Sequence, residues 1–285
     1  MRAGRPPIRH LDPLTRHWWR AVGRSVDLTS PDYSFLTAPY NERHQVGNAW
    51  LDRYAADGLV RPSSPDDGLL ADMAELDGPG FRAVDLHPMI RDFYEHTARW
   101  RMEVWAQWNP VFAPGGVAIA SLFGRRVEQL ALPTGPLSVS RGMASDIQIV
   151  VDHRGERLGA AWLRRLRLDD SPVYSGFYRV GMLPGNPAPH VAVAFPLEYG
   201  NIHVFLAPCA EPDGSLTLTS RSRRFGEDGA YVSVLVGDGW HSAQPPLREH
   251  FRVFVDDEGT LRTDHELRVG RFAALRLHYR LERRD

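Results

Sequence analysis

Histidine, tyrosine and arginine carry the chemistry that this chain can offer. Its 285 residues include twelve histidines, nine tyrosines and one cysteine, and all 34 basic side chains are arginine. Without lysine there is no Schiff base, no pyridoxal anchor and no phosphate-loop lysine. One thiol, Cys209, excludes a disulfide framework and a zinc site built on several thiolates. No two histidines stand four apart on one predicted helix, so a helical two-histidine metal grip is not encoded. A glycine-rich dinucleotide fingerprint is absent too, and Ser138-Val139-Ser140-Arg141-Gly142 lacks the leading glycine of a nucleophile elbow. The expectation is a protein with no cofactor and no metal.

Acid–base chemistry and shape remain. His203, His250, His265 and His278 fall in predicted strands, where a closed sheet can bring them together. Histidine titrates near neutral pH and serves as acid or base. Tyr178 or an arginine can hold a carbonyl. Arg221, in the run Arg221-Ser222-Arg223-Arg224, offers an anion a planar two-pronged donor. Asp264 and His265 are adjacent, so on a strand they point to opposite faces. A dyad therefore needs His265 to meet a carboxylate from another strand, such as Glu198 or Asp146. The candidate catalytic residues are His203, His265 and Tyr178, and the candidate substrate contacts are Arg221, Arg179, Phe205, Trp105 and Trp108.

Two kinds of element must position these groups. Up to about residue 134 the apolar residues recur at helical spacing. A helix is predicted from Asp12, with Pro13 in its first position and Leu14, Trp18 and Val22 as its stripe. Others are predicted over Asn41 to Ala56, Asp66 to Asp77, Pro88 to Trp108 and Val117 to Leu130. The fourth is apolar over a wide arc through Phe93, Tyr94, Trp100, Met102, Val104 and Trp105, as in a helix sandwiched between two surfaces.

From Ser145 onward the pattern is short strands, evenly spaced and separated by turn residues such as His153-Arg154-Gly155 and Asp257-Glu258-Gly259. Tight turns make successive strands antiparallel, and eight to ten of them close into a barrel or stack as a sandwich. The expected class is α+β: a helical segment, 1–134, packed on an antiparallel, lipocalin- or calycin-like barrel of about 8–10 strands, 135–285. Some strands are mixed on both faces. Asn201, His203 and Phe205 oppose Ile202, Val204 and Leu206, and Tyr174, Gly176 and Tyr178 oppose Ser175, Phe177 and Arg179. A barrel that holds a guest needs such a lining of apolar bulk and a few polar groups. Each polar group needs a partner, because an unpaired buried one costs roughly 1–3 kcal/mol.

Several stretches resemble one family. Leu86-His87-Pro88 followed by Phe93-Tyr94-Glu95-His96-Thr97, the run Gln129-Leu130-Ala131-Leu132-Pro133, Gly259-Thr260-Leu261 to Asp264-His265, and the ending from Phe272 to Tyr279 are similar to the soluble carboxy-terminal region of YndJ-like bacterial proteins. The resemblance covers residues 81 to 281. It implies no catalytic residue, and members of that family carry membrane-spanning segments ahead of this region.

With 34 basic against 35 acidic residues, the charge balance argues against a nucleic-acid partner. The least polar stretch, Val111 to Phe123, is about half the roughly 20 residues a membrane span requires. The start is Arg- and Pro-rich without an apolar run, so the expected location is cytoplasmic. The leading expectation is a cofactor-independent enzyme that binds a hydrophobic small molecule, polyketide- or terpenoid-like, and promotes its cyclisation or isomerisation. A non-catalytic binder of a lipid or other apolar ligand needs the same cavity. A scaffold protein would use a patch of Trp18, Trp19 and Trp50.

Overall fold

The computed structural model describes residues 11–42, 47–108, 143–166, 172–221 and 224–284. The predicted helix Val117 to Leu130 lies outside them. The described chain is mainly antiparallel sheet: β1 (Arg24–Val26), β2 (Trp100–Trp108), β3 (Met143–Val151), β4 (Arg157–Leu166), β5 (Pro172–Leu183), β6 (Asn186–Leu197), β7 (Gly200–Ala210), β8 (Leu216–Thr219), β9 (Gly229–Val236), β10 (Gly239–Ala243), β11 (Leu247–Val255), β12 (Leu261–Val269) and β13 (Phe272–Arg283). The main path runs β2-β13-β12-β11-β8-β7-β6-β5-β4-β3, and its two end strands approach each other to give a nearly closed barrel. β7 divides its outer edge: Gly200–Phe205 pairs with β9 and Ala207–Ala210 pairs with β8. β9, β10 and β1 therefore leave the barrel as a side flap.

The turns explain the antiparallel order. Gly155 and Gly259 sit at φ of 83° and 75°, a left-handed backbone in which a Cβ is strained. In each loop an aspartate closes the turn: Asp152 Oδ1 accepts from the amides of Arg154 and Glu156, and Asp256 Oδ1 from those of Glu258 and Thr260.

The helical expectation is corrected in three places, the first being Asn41 to Ala56, where the helix spans only Ala49–Ala56 and Asn41 instead forms a bridge with Glu198. Among the described residues the α-helices are few and short: α1 (Leu11–Val22), α2 (Ala49–Ala56) and α3 (Pro88–Glu95). The predicted helix Pro88 to Trp108 stops at Glu95, and its second half becomes β2, paired with β13. Residues 100–108 alternate, with Trp100, Met102 and Val104 on one face and Arg101, Glu103 and Trp105 on the other, which is a strand period. The ladder favours them as a strand too, since Arg101 faces Glu282 and forms an ion pair with it, while Glu103 stands opposite Arg280. The barrel thus takes strands from both sides of the expected 134/135 division. The predicted helix Asp66 to Asp77 is instead a set of turns ending in a 3-10 turn, Met73–Leu76, capped by Asp72. Gly68 lies so close to the Glu95 carbonyl carbon that a Cβ would come within 2.2 Å of it, so the chain here is pressed onto α3 rather than coiled on itself.

Packing separates an inside from an outside. Ile147, Ile149, Trp162, Val191, Val193, Val204, Leu218, Val253, Leu261 and Leu281 join one cluster with Leu69, Leu70, Met73, Leu76, Ile90 and Phe93. The segment from Leu69 to Trp100 thus shares the barrel's inner core. On the outer wall, Trp50 and Leu51 of α2 cover Val150, Ala161, Leu163 and Phe177. Val26, Phe35 and Leu36 cover Ala192, Phe205 and Tyr231. Trp50 is therefore buried, its Nε1 donating to Ser175 Oγ at 2.9 Å, while Trp18 is 62 % exposed, so the three tryptophans form no common patch. No helix among the described residues is long and apolar enough to cross a membrane.

Candidate functional site

The inner face carries a polar cluster that the apolar core surrounds. Alternation on β4 turns Ala160, Trp162 and Arg164 inward, and the register sets Arg164 beside Tyr174 and Ala160 beside Tyr178. From β13, Tyr279 turns inward opposite Thr263 of β12 and Val104 of β2. The hydroxyls of Tyr174 and Tyr178 hydrogen-bond to each other. The Arg164 guanidinium lies over the rings of Trp162, Tyr174 and Tyr279 at 3.8, 4.8 and 5.8 Å from their centroids. Trp162 is fixed in turn: its Nε1 donates to Ser145 Oγ at 2.7 Å and its ring meets those of Phe93, Tyr174 and Tyr178 edge-on.

Burial pushes all three tyrosines up from their ordinary value. For Tyr178 the neighbouring Tyr174 adds to the rise, and the Arg164 charge opposes it at each position. They are neutral hydroxyls at physiological pH. Gly176, opposite Trp162, leaves space for the Tyr174 ring: a Cβ there would stand 2.9 Å from it. Gly176→Val is expected to cost about 1–3 kcal/mol of stability through overpacking and to move Tyr174 off Arg164. The denaturation midpoint and the near-ultraviolet circular dichroism of the variant check this; unchanged values for both would contradict the placement.

A second inner-face feature stands across the barrel. His265 Nε2 lies 3.1 Å from Glu249 Oε2, with both side chains mostly buried. The imidazole stacks on Phe251 at 3.7 Å between centroids and 14° between planes. Its Nδ1 is buried and has no hydrogen-bond partner among the described residues. When Nε2 carries the proton and donates it to Glu249, Nδ1 presents a lone pair, the arrangement of an oriented base. The Glu249 charge also reaches Tyr174 and Tyr279, raising both, which ties this dyad to the Arg164 group. Along β12 the inner face changes from buried, at Leu261 and Thr263, to partly exposed, at His265 and Leu267, so the dyad lies toward the more open end.

The sequence candidates divide between the two faces. Tyr178 and His265 share the interior. His203 and Phe205 point the other way, with ring planes 11° apart, beneath the segment that holds Phe35 and Thr37. Arg179 donates from Nη2 to the carbonyls of Phe35 (2.9 Å) and Thr37 (3.2 Å), so it ties that segment down. Burial, then the nearby Arg179 charge, push His203 down to about 3, and the Thr37 backbone opposes the shift in part. Trp105 is on the outer face of β2, 52 % exposed, in a depression of about 570 Å³ with His250, Asp264 and His278. There His278 Nδ1 meets Asp264 Oδ1 at 2.6 Å. Arg221 is exposed beyond β8, its backbone amide donating to Asp228. Trp108 ends β2, and its side chain lies outside the described residues.

The dyad partner is Glu249 on β11 rather than Glu198 or Asp146. Arg164, Trp162, Tyr174, Tyr279 and Glu249 were not singled out from sequence. Their signal was alternation, since Trp162 and Arg164 lie two apart, as do Glu249 and Phe251. Among the described residues no three His, Cys, Asp or Glu side chains are placed to hold a metal ion. No family model, no curated protein and no solved structure matches this chain.

Proposed function

We propose that the protein is a cofactor-independent enzyme that takes a hydrophobic small molecule into a calycin-like barrel and promotes its isomerisation or cyclisation by proton transfer. The observation that carries this reading is the His265–Glu249 dyad on the inner face, with a buried Nδ1 that has no hydrogen-bond partner among the described residues, on the same face as the apolar core and the Arg164–tyrosine cluster. A base held by a carboxylate, on the same inner face as neutral tyrosine hydroxyls, can remove a proton next to a carbonyl and return it elsewhere. The chain then acts in the cytoplasm, with a barrel similar to the YndJ-like soluble region that it resembles. The runner-up is a non-catalytic binder of an apolar ligand, which the same aromatic and aliphatic lining favours.

The test begins with native mass spectrometry to identify the small molecule that accompanies the purified protein. That molecule is then incubated with the protein in deuterated water, and deuterium uptake is followed. Turnover is expected in the wild type, with a loss of about 100-fold or more in His265→Gln and a smaller loss in Glu249→Gln while the ligand stays bound. Uptake no faster than in buffer for the wild type would leave the binder reading in place.

A further inference from the structure

The geometry points to a carboxylate-bearing guest: Arg164 is a seat for the anionic head of an amphipathic ligand whose apolar part lies along the barrel lining. This rests on the reading that the barrel takes a guest, and it names the chemical class of that guest.

Arg164 is 9 % exposed and makes no ion pair among the described residues. Its Nε is buried without a hydrogen-bond partner among the described residues. Three aromatic faces and a hydrogen bond to the Tyr279 hydroxyl compensate part of its charge, but none of them supplies a counter-charge. A buried guanidinium left so is costly, and an anion of matching shape relieves that cost. Glu249, whose charge reaches Tyr174 and Tyr279, is bonded to His265 and forms no ion pair with Arg164.

The guanidinium's in-plane donors match the two oxygens of a carboxylate. The neighbouring hydroxyls add to this. In the Tyr174–Tyr178 pair one hydroxyl donates to the other, which leaves the second proton for a ligand oxygen. Burial keeps these hydroxyls protonated, so they stay donors and do not repel an anion. Val191, Val193, Phe195, Val204 and Leu206, which belong to the same inner cluster as Trp162, are apolar. A guest with a charged head and an aliphatic or polyene body would match this inner face, and a neutral guest would leave Arg164 without a counter-charge.

The experiment compares cis-parinaric acid with its methyl ester, by fluorescence titration of the full chain at pH 8. Charge-assisted hydrogen bonds of about 1.5–3 kcal/mol predict that the acid binds about 10- to 100-fold more tightly than the ester. In Arg164→Met, which keeps bulk and removes charge, that ratio should fall to within about threefold, mostly by weakening the acid. The wild-type ratio needs no variant, so it stands even if Arg164→Met misfolds. Equal binding of acid and ester by the wild type overturns the carboxylate seat and leaves the hydrophobic-guest reading intact. Binding of neither overturns both.

Discussion

Trp162→Ala is expected to destabilise the protein by about 3–5 kcal/mol. The indole is 5 % exposed and reaches into three groups at once. It meets Phe93 of α3, which joins the Leu69–Trp100 segment to the inner core. Its edge contacts with Tyr174 and Tyr178 hold the hydroxyl pair, and its face lies 3.8 Å from the Arg164 guanidinium carbon. Truncation leaves a cavity that β4 and β5 cannot close without breaking their ladder, leaves the Ser145 hydroxyl without its indole donor and strips a buried cation of its nearest ring. Urea unfolding measures the loss. A change below about 1 kcal/mol would mean that the ring is not central to the core. The same variant should weaken ligand binding even where it remains folded, because Arg164 loses its support.

A second large effect is predicted in acid. His203 is neutral in the fold, held down to about 3 by burial and by Arg179, whereas the unfolded chain titrates near the ordinary 6.5. The unfolded state therefore binds more protons below pH 6.5, and stability falls as pH drops from there toward 3. At pH 4.5 the loss from this residue is on the order of 2–3 kcal/mol. His203→Phe should flatten the dependence of stability between pH 7 and 4.5 by about that amount, whatever its effect at pH 8. Some slope will remain, because burial also lowers His190 and His250. Exposed carboxylates such as Asp213, lowered to about 2 by bonds from Ser215 and Arg252, contribute only below their unfolded value of 3.8. Above pH 4.5 the histidines therefore dominate the slope. Identical slopes for variant and wild type would show that His203 is not buried as described.

The strands from β3 to β13 could be read from sequence because their residues alternate and their turns are marked by Asp and Gly at fixed offsets. The exceptions show what local pattern omits. β10 and β1 are five and three residues long, too short to show a period, and they form because β9 offers an edge to β10 and β10 in turn offers one to β1. β2 was obscured because apolar residues fall on both of its faces: Trp105 faces outward and Val104 inward, and the mixture imitates a helix. His203 and His265 look alike in sequence, each a histidine on an apolar strand. Parity decides the difference: His265 shares a face with Leu261 and Thr263, toward the barrel axis, and His203 a face with Phe205, toward the covering segment.

Taken alone, the residues determined composition-level chemistry, the antiparallel order and most strand positions, since these depend on neighbours within a few residues. Tertiary structure decided which face became the interior, because that depends on the long-range covering of one side by Phe35, Leu36, Trp50 and Leu51. It also brought Arg164 to Tyr279, 115 residues on, and Glu249 to His265, across strand pairings that no local spacing encodes.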